Sequence, residues 1–439
     1  MKRPLVLLAA IPLLLWGIFV MPEVIASAKG PWDWRHALIP ASGVLALWWM
    51  SAGMVLAARL PRVEQFFGGL DRLYRLHKHV GIGAGAIVLT HWMLEWLPKK
   101  LAKAGLITRP ARGPRPPKGP EDFWIDIAKD VGEWAGYILL AMVVIALLRR
   151  IPYRYFRWVH RLFPLVFIAG AFHGLMLMPA GYWLQPLGWL TAFMATLGVV
   201  PAVMALTGRI GVRRRMGAKV EAVTCHPDGV LEIACRPAGT WPGHQSGQCV
   251  LADFGPAGEG AHPFTVASAW NPADGRITLA IKPLGDYTRS LPGRVAVGQT
   301  IRLEGPYGGF TFDAAHGEDS QVWVAGGIGI TPFLARLQEL AARGGTRAPV
   351  DFFYSTADAR PGFPPDLPAL CAAAGVRLHR RHTQLHGPLP ADEVAACLKP
   401  SRTVWFCGPA AWGESLAEHL TTAGLLKPAG FHRELFEFR

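Results

Sequence analysis

Histidine placement carries the strongest chemical signal in this chain. The stretch "HKHVGIGAGAIVLTH", residues 77–91, is apolar and glycine-rich inside, yet an imidazole stands at each end. A second apolar stretch, "HRLFPLVFIAGAFH", repeats the pattern with His160 and His173. Ionisable side chains at membrane depth are costly enough to mark a function. His77 and His91 are 14 residues apart. That is about 21 Å along a helix and about 40° around it, so the two share a face. His79 to His91 gives about 120°, a worse alignment. His160 and His173, 13 apart, fall about 140° apart on a regular helix. Pro164 between them can kink or unwind that helix.

Laid side by side and parallel, the two stretches pair His77 with His160 and His91 with His173. Each pair can hold one iron between two imidazoles, the bis-histidine ligation of a b-type haem. The plain alternative is four polar residues that cap helix ends or bond to neighbouring helices. Gly81, Gly83 and Gly85 either admit a porphyrin edge or pack helices. Phe167, between the two levels, either aids electron passage or fills space.

The elements that must position these residues follow from hydropathy. Of 439 residues 51% are hydrophobic, with a mean hydropathy of +0.24, and the long apolar runs lie in the first half. Six segments are long enough to span a bilayer, which takes about 20 residues: 4–27, 37–58, 77–97, 132–149, 156–178 and 183–207. The first, with its basic start and A-S-A ending, also reads as a cleaved signal peptide. Its long apolar run favours a retained helix. Net charge is +14, but the clusters "RLPR", "DRLYRLHK", "RRIPYRYFRWVHR" and "RIGVRRR" flank the apolar runs. Membrane topology therefore accounts for the charge without nucleic acid. The same clusters place both termini, the 2–3 loop and the 4–5 loop in the cytosol. The outward 98–131 loop is the exception, with Lys99, Lys100, Lys103, Arg109, Arg112, Arg115 and Lys118.

All six cysteines lie in the second half, none in C-x-x-C spacing, so neither a zinc ribbon nor a ferredoxin-type cluster is supported. Unpaired thiols suit a reducing cytosol. From about residue 218, short β-type runs such as "VLEIACRP" and "RITLAIKP" are separated by Gly, Pro and Asp, the pattern of a small antiparallel barrel. From 321, "QVWVAGGIGITPFLARLQEL" reads as strand, glycine turn and helix. "PVDFFYST", "GVRLHRR" and "RTVWFCGP" continue the alternation of a parallel α/β sheet. The expected fold is multidomain: a six-helix all-α transmembrane bundle over 1–210, an antiparallel β-barrel over 217–314, and an α/β parallel-sheet domain over 318–439.

Over essentially its whole length the sequence resembles the ferric reductase and NADPH oxidase superfamily. Members join a six-helix bis-haem membrane domain to a dehydrogenase similar to ferredoxin–NADP reductase. The histidine pairs match that pattern. "HPFTVAS" (His262, Pro263, Phe264, Thr265, Val266, Ala267, Ser268) resembles the family's flavin motif. The resemblance implies that Phe264 packs near the isoalloxazine while Thr265 and adjacent backbone bond the ring or ribityl chain of FAD. In "IKPLGDYTRSL", Lys282, Gly285, Tyr287 and Thr288 resemble the segment that holds the FAD diphosphate, where a cation and helix-start N–H groups suit an anion. "VAGGIGITPF" contributes Gly326, Gly327, Ile328, Gly329, Thr331 and Pro332. It is not the G-x-G-x-x-G fingerprint, but it follows a strand and precedes "CGP", as in this superfamily. Cys407, Gly408 and Pro409 resemble residues beside the nicotinamide. Many relatives end on an aromatic that covers the flavin. Here Arg439 follows Phe438, the candidate cover, with Phe436 as a core alternative.

The implied function is an NAD(P)H-dependent flavocytochrome b oxidoreductase of the bacterial inner membrane, with its flavin domain in the cytosol. Electrons pass from NAD(P)H through FAD to the His77/His160 haem and then to the His91/His173 haem. The outer-face acceptor is a ferric chelate, dioxygen or a periplasmic redox protein. No acidic residue ends "VDFFYST", and Ser355, Arg360 and Arg380 suit a 2′-phosphate, favouring NADPH over NADH. The basic loop either attracts an anionic acceptor or touches lipid phosphates. Two other readings are a non-catalytic haem carrier or sensor, and a cytosolic flavin reductase on an unhaemed anchor.

Overall fold

The computed structural model describes residues 2–109, 119–148, 150–151, 153–255, 260–312, 321–357, 362–398 and 402–434. They form two compact units. One is Met1–Val63 with Leu73–Ile210, and the other is Glu64–Arg72 with Gly211–Phe438.

The helical unit is built from α1 (Lys2–Phe19), α2 (Met21–Ser27), α3 (Pro31–Ala57), most of α5 (Leu70–Lys103), α6 (Pro120–Leu147), α7 (Tyr153–His160), α8 (Phe163–Met176), α9 (Ala180–Trp183) and α10 (Pro186–Leu206). The short α4 (Pro61–Phe67) lies between α3 and α5. Among the described residues, five helical spans are long and apolar enough to cross a membrane. The bent pair α1 and α2, which meet at 46°, makes a sixth if counted as one. Pro22 in the first turn of α2 accounts for the restart, since proline suits a helix start and breaks a helix interior. The Trp16 indole donates to the Tyr182 hydroxyl at 3.1 Å, and Trp16 and Val20 pack with Val44, Trp48 and Leu187.

The fifth span differs from a kinked single helix. It breaks at Arg161 and Leu162, so α7 ends on His160 and α8 opens with Pro164 in its first turn. That break removes the 140° misfit between His160 and His173. Phe167 is fully buried, and its ring fills a notch left by Gly198. Gly83 gives room to the Trp49 indole and Gly85 to Val143, whereas Gly81 has nothing within 4 Å of where a Cβ would stand. Two of the three glycines therefore pack helices.

The second unit holds two sheets. The first comprises β1 (Arg215–Cys225), β2 (Leu231–Pro237), β3 (Cys249–Asp253), β4 (His262–Thr265), β5 (Ile277–Ile281) and β6 (Thr300–Tyr307), in the order β4-β3-β6-β1-β2-β5. Every pairing is antiparallel, and a bridge between Val266 and Leu279 brings the two ends nearly to closure. Val220, Ile233, Val250, Leu279 and Leu303 fill its interior. α11 (Asp286–Ser290) follows β5.

The second sheet comprises β7 (Gln321–Gly326), β8 (Val350–Thr356), β9 (Arg377–His382), β10 (Thr403–Cys407) and β11 (Phe431–Glu434), all parallel, in the order β11-β10-β7-β8-β9. Helices α12 (Thr331–Ala342), α13 (Leu367–Ala373), α14 (Thr383–His386), α15 (Ala391–Ala396) and α16 (Ala410–Thr422) connect the strands. Trp323, Phe333 and Phe352 pack on one face and Val324, Phe353 and Phe406 on the other.

Candidate functional site

The helical unit brings the four membrane histidines together in two pairs. The rings of His77 and His160 have centroids 5.9 Å apart and planes crossed at 86°. Those of His91 and His173 are 6.3 Å apart and crossed at 87°. Two metal–imidazole bonds of about 2.0 Å plus the ring radii come to about 6 Å, so each gap fits one metal ion. The hydrogen bond made by one ring nitrogen sets which nitrogen is left to offer. Nδ1 lies 3.0 Å from the Gly53 carbonyl in His77, 3.1 Å from the Ile39 carbonyl in His91 and 2.8 Å from the Ala128 carbonyl in His173. Each Nδ1 is thereby assigned as the N–H donor, which leaves Nε2 as the basic nitrogen. A Cβ on Gly132 would collide with the His173 ring, so glycine is needed there. His79 takes no part: it is exposed, with Nδ1 at 2.7 Å from the Arg75 carbonyl. The donor set and its spacing fit a bis-imidazole haem at each level.

In the second unit, His262 to Thr265 form β4, and Thr265 pairs with Cys249 across the ladder. His262 stacks on Tyr287 at 3.8 Å, and Phe264 meets Phe254 edge-on. Val266 and Ala267 are buried and bond their backbone N–H groups to Gln248 and Thr278. Ser268 accepts from the Thr278 N–H through its hydroxyl. The Thr265 hydroxyl is buried without a well-formed hydrogen bond, although it lies close enough to Glu434 to affect that carboxyl. An unsatisfied buried hydroxyl in a flavin-like motif fits a bound cofactor. Near α11, the Thr288 hydroxyl accepts from the N–H groups of Leu284 and Gly285, both at 3.0 Å. The Gly285 N–H, one of those expected to meet a diphosphate, is therefore already used.

The glycine motif closes on the "CGP" turn. Gly326 ends β7, Gly327 to Ile330 make a single 3-10 turn, and Thr331 and Pro332 start α12. Gly327 has φ +54°, and a Cβ on Gly329 would strike the Cys407 carbonyl. Gly408 lies against Gly326, and Pro409 caps α16. The Lys282 amine reaches within 3.8 Å of where a Gly327 Cβ would be, linking the flavin and nucleotide motifs. Ser355 lies beside Gly326, and Arg380 beside Tyr354, towards the C-terminal ends of parallel strands, where α/β sheets bind ligands. Arg360, Phe436 and Phe438 lie outside the described residues.

Residues 42–171 match the ferric reductase like transmembrane component model, and residues 215–311 match an FAD-binding domain. Ferric reduction oxidase 8, mitochondrial, of Arabidopsis thaliana is 34% identical over 97 residues, 20% of this chain and 13% of that protein. Respiratory burst oxidase homolog protein B of Solanum tuberosum is 22% identical over 235 residues, 48% of this chain and 26% of that protein. The ferredoxin–NAD(+) reductase component of the alkene monooxygenase system of Xanthobacter autotrophicus is 36% identical over 137 residues, 30% of this chain and 40% of that protein. This chain belongs to the ferric reductase and NADPH oxidase superfamily. Each of these alignments spans less than half of the relative's length.

In this superfamily member, two clusters carried no sequence signal. The first is a cleft in the second unit, lined among others by Asp71, Cys249, Gly309, Trp405, His432 and Glu434. Glu434 faces Cys407 on the neighbouring strand, with Sγ to Oε2 at 4.0 Å. Burial, then the Glu434 charge, pushes the Cys407 thiol well up, so it stays protonated. Burial, then the Asp71 charge, pushes the Glu434 carboxyl well up. Glu64 is also buried, and accepts from Arg214 and from the Gly308 N–H, each at 2.8 Å. Lone carboxylates far apart in sequence gave no spacing to read.

The second cluster bears on the basic 98–131 loop. Lys99 pairs with Glu95, Lys100 sits over Trp96, and Arg109 sits over Trp32, whose indole donates to the Thr108 carbonyl. Arg112, Arg115 and Lys118 lie outside the described residues.

Proposed function

We propose that this chain is a transmembrane oxidoreductase that carries electrons from cytosolic NAD(P)H to an acceptor on the outer face. The observation that carries the reading is the pair of crossed imidazole couples, each spaced for one metal ion. FAD, when bound, takes two electrons as a hydride and yields them singly, and each b haem takes one at a time. His77 with His160 would hold the inner haem, and His91 with His173 the outer one. The carbonyls of Gly53, Ile39 and Ala128 orient three of those rings.

The flavin would lie against Phe264 and Thr265, with Lys282 and the turn from Gly285 to Thr288 towards its diphosphate. The nucleotide would lie over Gly326 to Pro332 and against Cys407, Gly408 and Pro409. With its thiol held protonated, Cys407 serves to pack and position and not as a nucleophile. Ser355, Arg360 and Arg380 favour NADPH over NADH. The domains are taken as 1–210, 217–314 and 318–439. The acceptor is a ferric chelate, dioxygen or a periplasmic redox protein, in an inner membrane with the flavin domain facing the cytosol.

Sealed proteoliposomes test the whole path. NAD(P)H added on the flavin side should bleach the flavin, reduce haem, and reduce a ferric chelate trapped on the far side. Haem absorbance that does not respond to NAD(P)H would leave a carrier or sensor. Protein that binds flavin but no haem would leave a flavin reductase on a membrane anchor.

A further inference from the structure

The two histidine levels differ in what their rings bond to. At the outer level, one turn of α3 lies along the His91 ring. Nδ1 of His91 is 3.1 Å from the Ile39 carbonyl and 3.0 Å from the Ser42 hydroxyl oxygen. The Ser42 O–H itself donates to the Ile39 carbonyl at 2.9 Å, so its oxygen accepts from the His91 N–H. Gly43 leaves room for this approach, since a Cβ there would stand 3.4 Å from His91 Cε1. The partner ring, His173, donates to the Ala128 carbonyl at 2.8 Å. Three acceptors therefore serve the two outer N–H groups. Glu95, one turn beyond His91, is already paired with Arg35 and Lys99, so its charge is offset.

The inner level is poorer in acceptors. His77 donates to the Gly53 carbonyl at 3.0 Å. Among the described residues, nothing bonds a ring nitrogen of His160. Its ring is stacked between Phe156 and Phe163, at 5.1 and 5.8 Å with planes tilted by 27° and 26°. An N–H that donates makes the opposite nitrogen a more basic ligand. Oxidised iron carries one more positive charge than reduced iron. A more basic imidazole therefore favours the oxidised form and lowers the potential, while an apolar cover does the reverse. We propose that Ser42 is a positioning residue that tunes His91, holding the outer level harder to reduce than the inner one. This rests on the two-haem reading above. One electron then passes from the inner to the outer iron against a small gradient, the first being oxidised as the second is reduced. Its onward transfer to the outer-face acceptor, a ferric chelate or dioxygen, draws that step forward. The inner level stores the electron, and the outer level delivers it as the stronger reductant.

The test is a redox titration of the full-length, haem-loaded protein in detergent, followed by haem absorbance. Bound haem is counted first, and fewer than two per wild-type chain would refute the two-haem reading and this proposal with it. With two haems present, the wild type should titrate in two one-electron steps. H91A, which keeps the inner pair, should show only the higher step, and H77A only the lower. S42A should raise the lower step by up to about tenfold in the one-electron equilibrium, or about 59 mV, and leave the upper step in place. S42T, which keeps the hydroxyl, should hold the wild-type value. A serine that only packed would alter haem content or stability without moving one step alone. Should S42A not hold its haem, S42C takes its place, being of similar size and a weaker acceptor, with a shift in the same direction. Both steps unmoved in the serine variant, or an H91A protein that keeps the lower step, would overturn the proposal.

Discussion

The Glu434 carboxyl lies 4.0 Å from the Cys407 thiol on the adjacent parallel strand, and both groups are buried. Glu434 has a folded-state pKa raised above its ordinary 4.5, first by burial and then by Asp71. A raised carboxyl costs nothing while both states hold the proton, below about pH 4.5. Stability is lost as pH climbs from there towards the folded-state value. E434Q should therefore be more stable than wild type at pH 7.5, and the advantage should vanish as pH falls below about 4.5. Each kcal/mol relieved is worth about 2–4 °C in Tm for a unit of this size. Thermal melts across that range check both the sign and the window.

The crossed ring pairs lead to a stoichiometric prediction. On the two-haem reading, H91A or H173A should lower bound haem from two per chain to one and leave flavin content unchanged. H77A or H160A should do the same for the other level. H79A should retain both haems, because that ring is exposed and bonds its own helix. A haemochrome assay on purified protein gives the count, and full haem content in H91A would contradict the assignment.

Gly132 supplies a steric test of the same site. A Cβ at this position would overlap the His173 ring, whereas one at Gly136, a turn away on α6, would meet nothing within 4 Å. G132V should displace the ring and lose the His91/His173 haem, while G136V should keep it. Equal spectra for the two variants would show that the His173 ring can move without cost.

How much of this was legible in the chain depended on distance along it. His77 and His91 could be paired because a regular helix converts 14 residues into one shared face. His160 and His173 could not be aligned on that geometry, because their helix breaks at Arg161 and Leu162. The strands of the second unit were visible as alternating apolar runs, as in β2, where Leu231, Ile233 and Cys235 point inward. The grouping of Glu64–Arg72 with the flavin-side unit was not visible. It depends on partners such as Arg214 and Gly308, 150 and 244 residues away. Glu434 was hidden for a similar reason. A four-residue strand is defined by pairing with β10, and its own sequence, "FHRE", has no apolar alternation.

Arg35 compensates for a proline. In α5 the Leu94 carbonyl would ordinarily accept from the N–H of residue 98, but Pro98 has none. The Arg35 Nε from α3 donates to that carbonyl at 2.9 Å, while its Nη2 reaches the Glu95 carbonyl and also bonds the Glu95 carboxylate. Arg35 is only 8% exposed, so a lost bond would not be replaced freely by water. Removing a charged donor of this kind costs about 1–3 kcal/mol. R35Q should therefore lower Tm. In a P98A background, residue 98 can supply its own N–H, and R35Q should cost less there. The double-mutant comparison isolates that shared bond from the Glu95 ion pair, which both backgrounds keep. Equal losses in the two backgrounds would mean that the guanidinium acts through Glu95 alone.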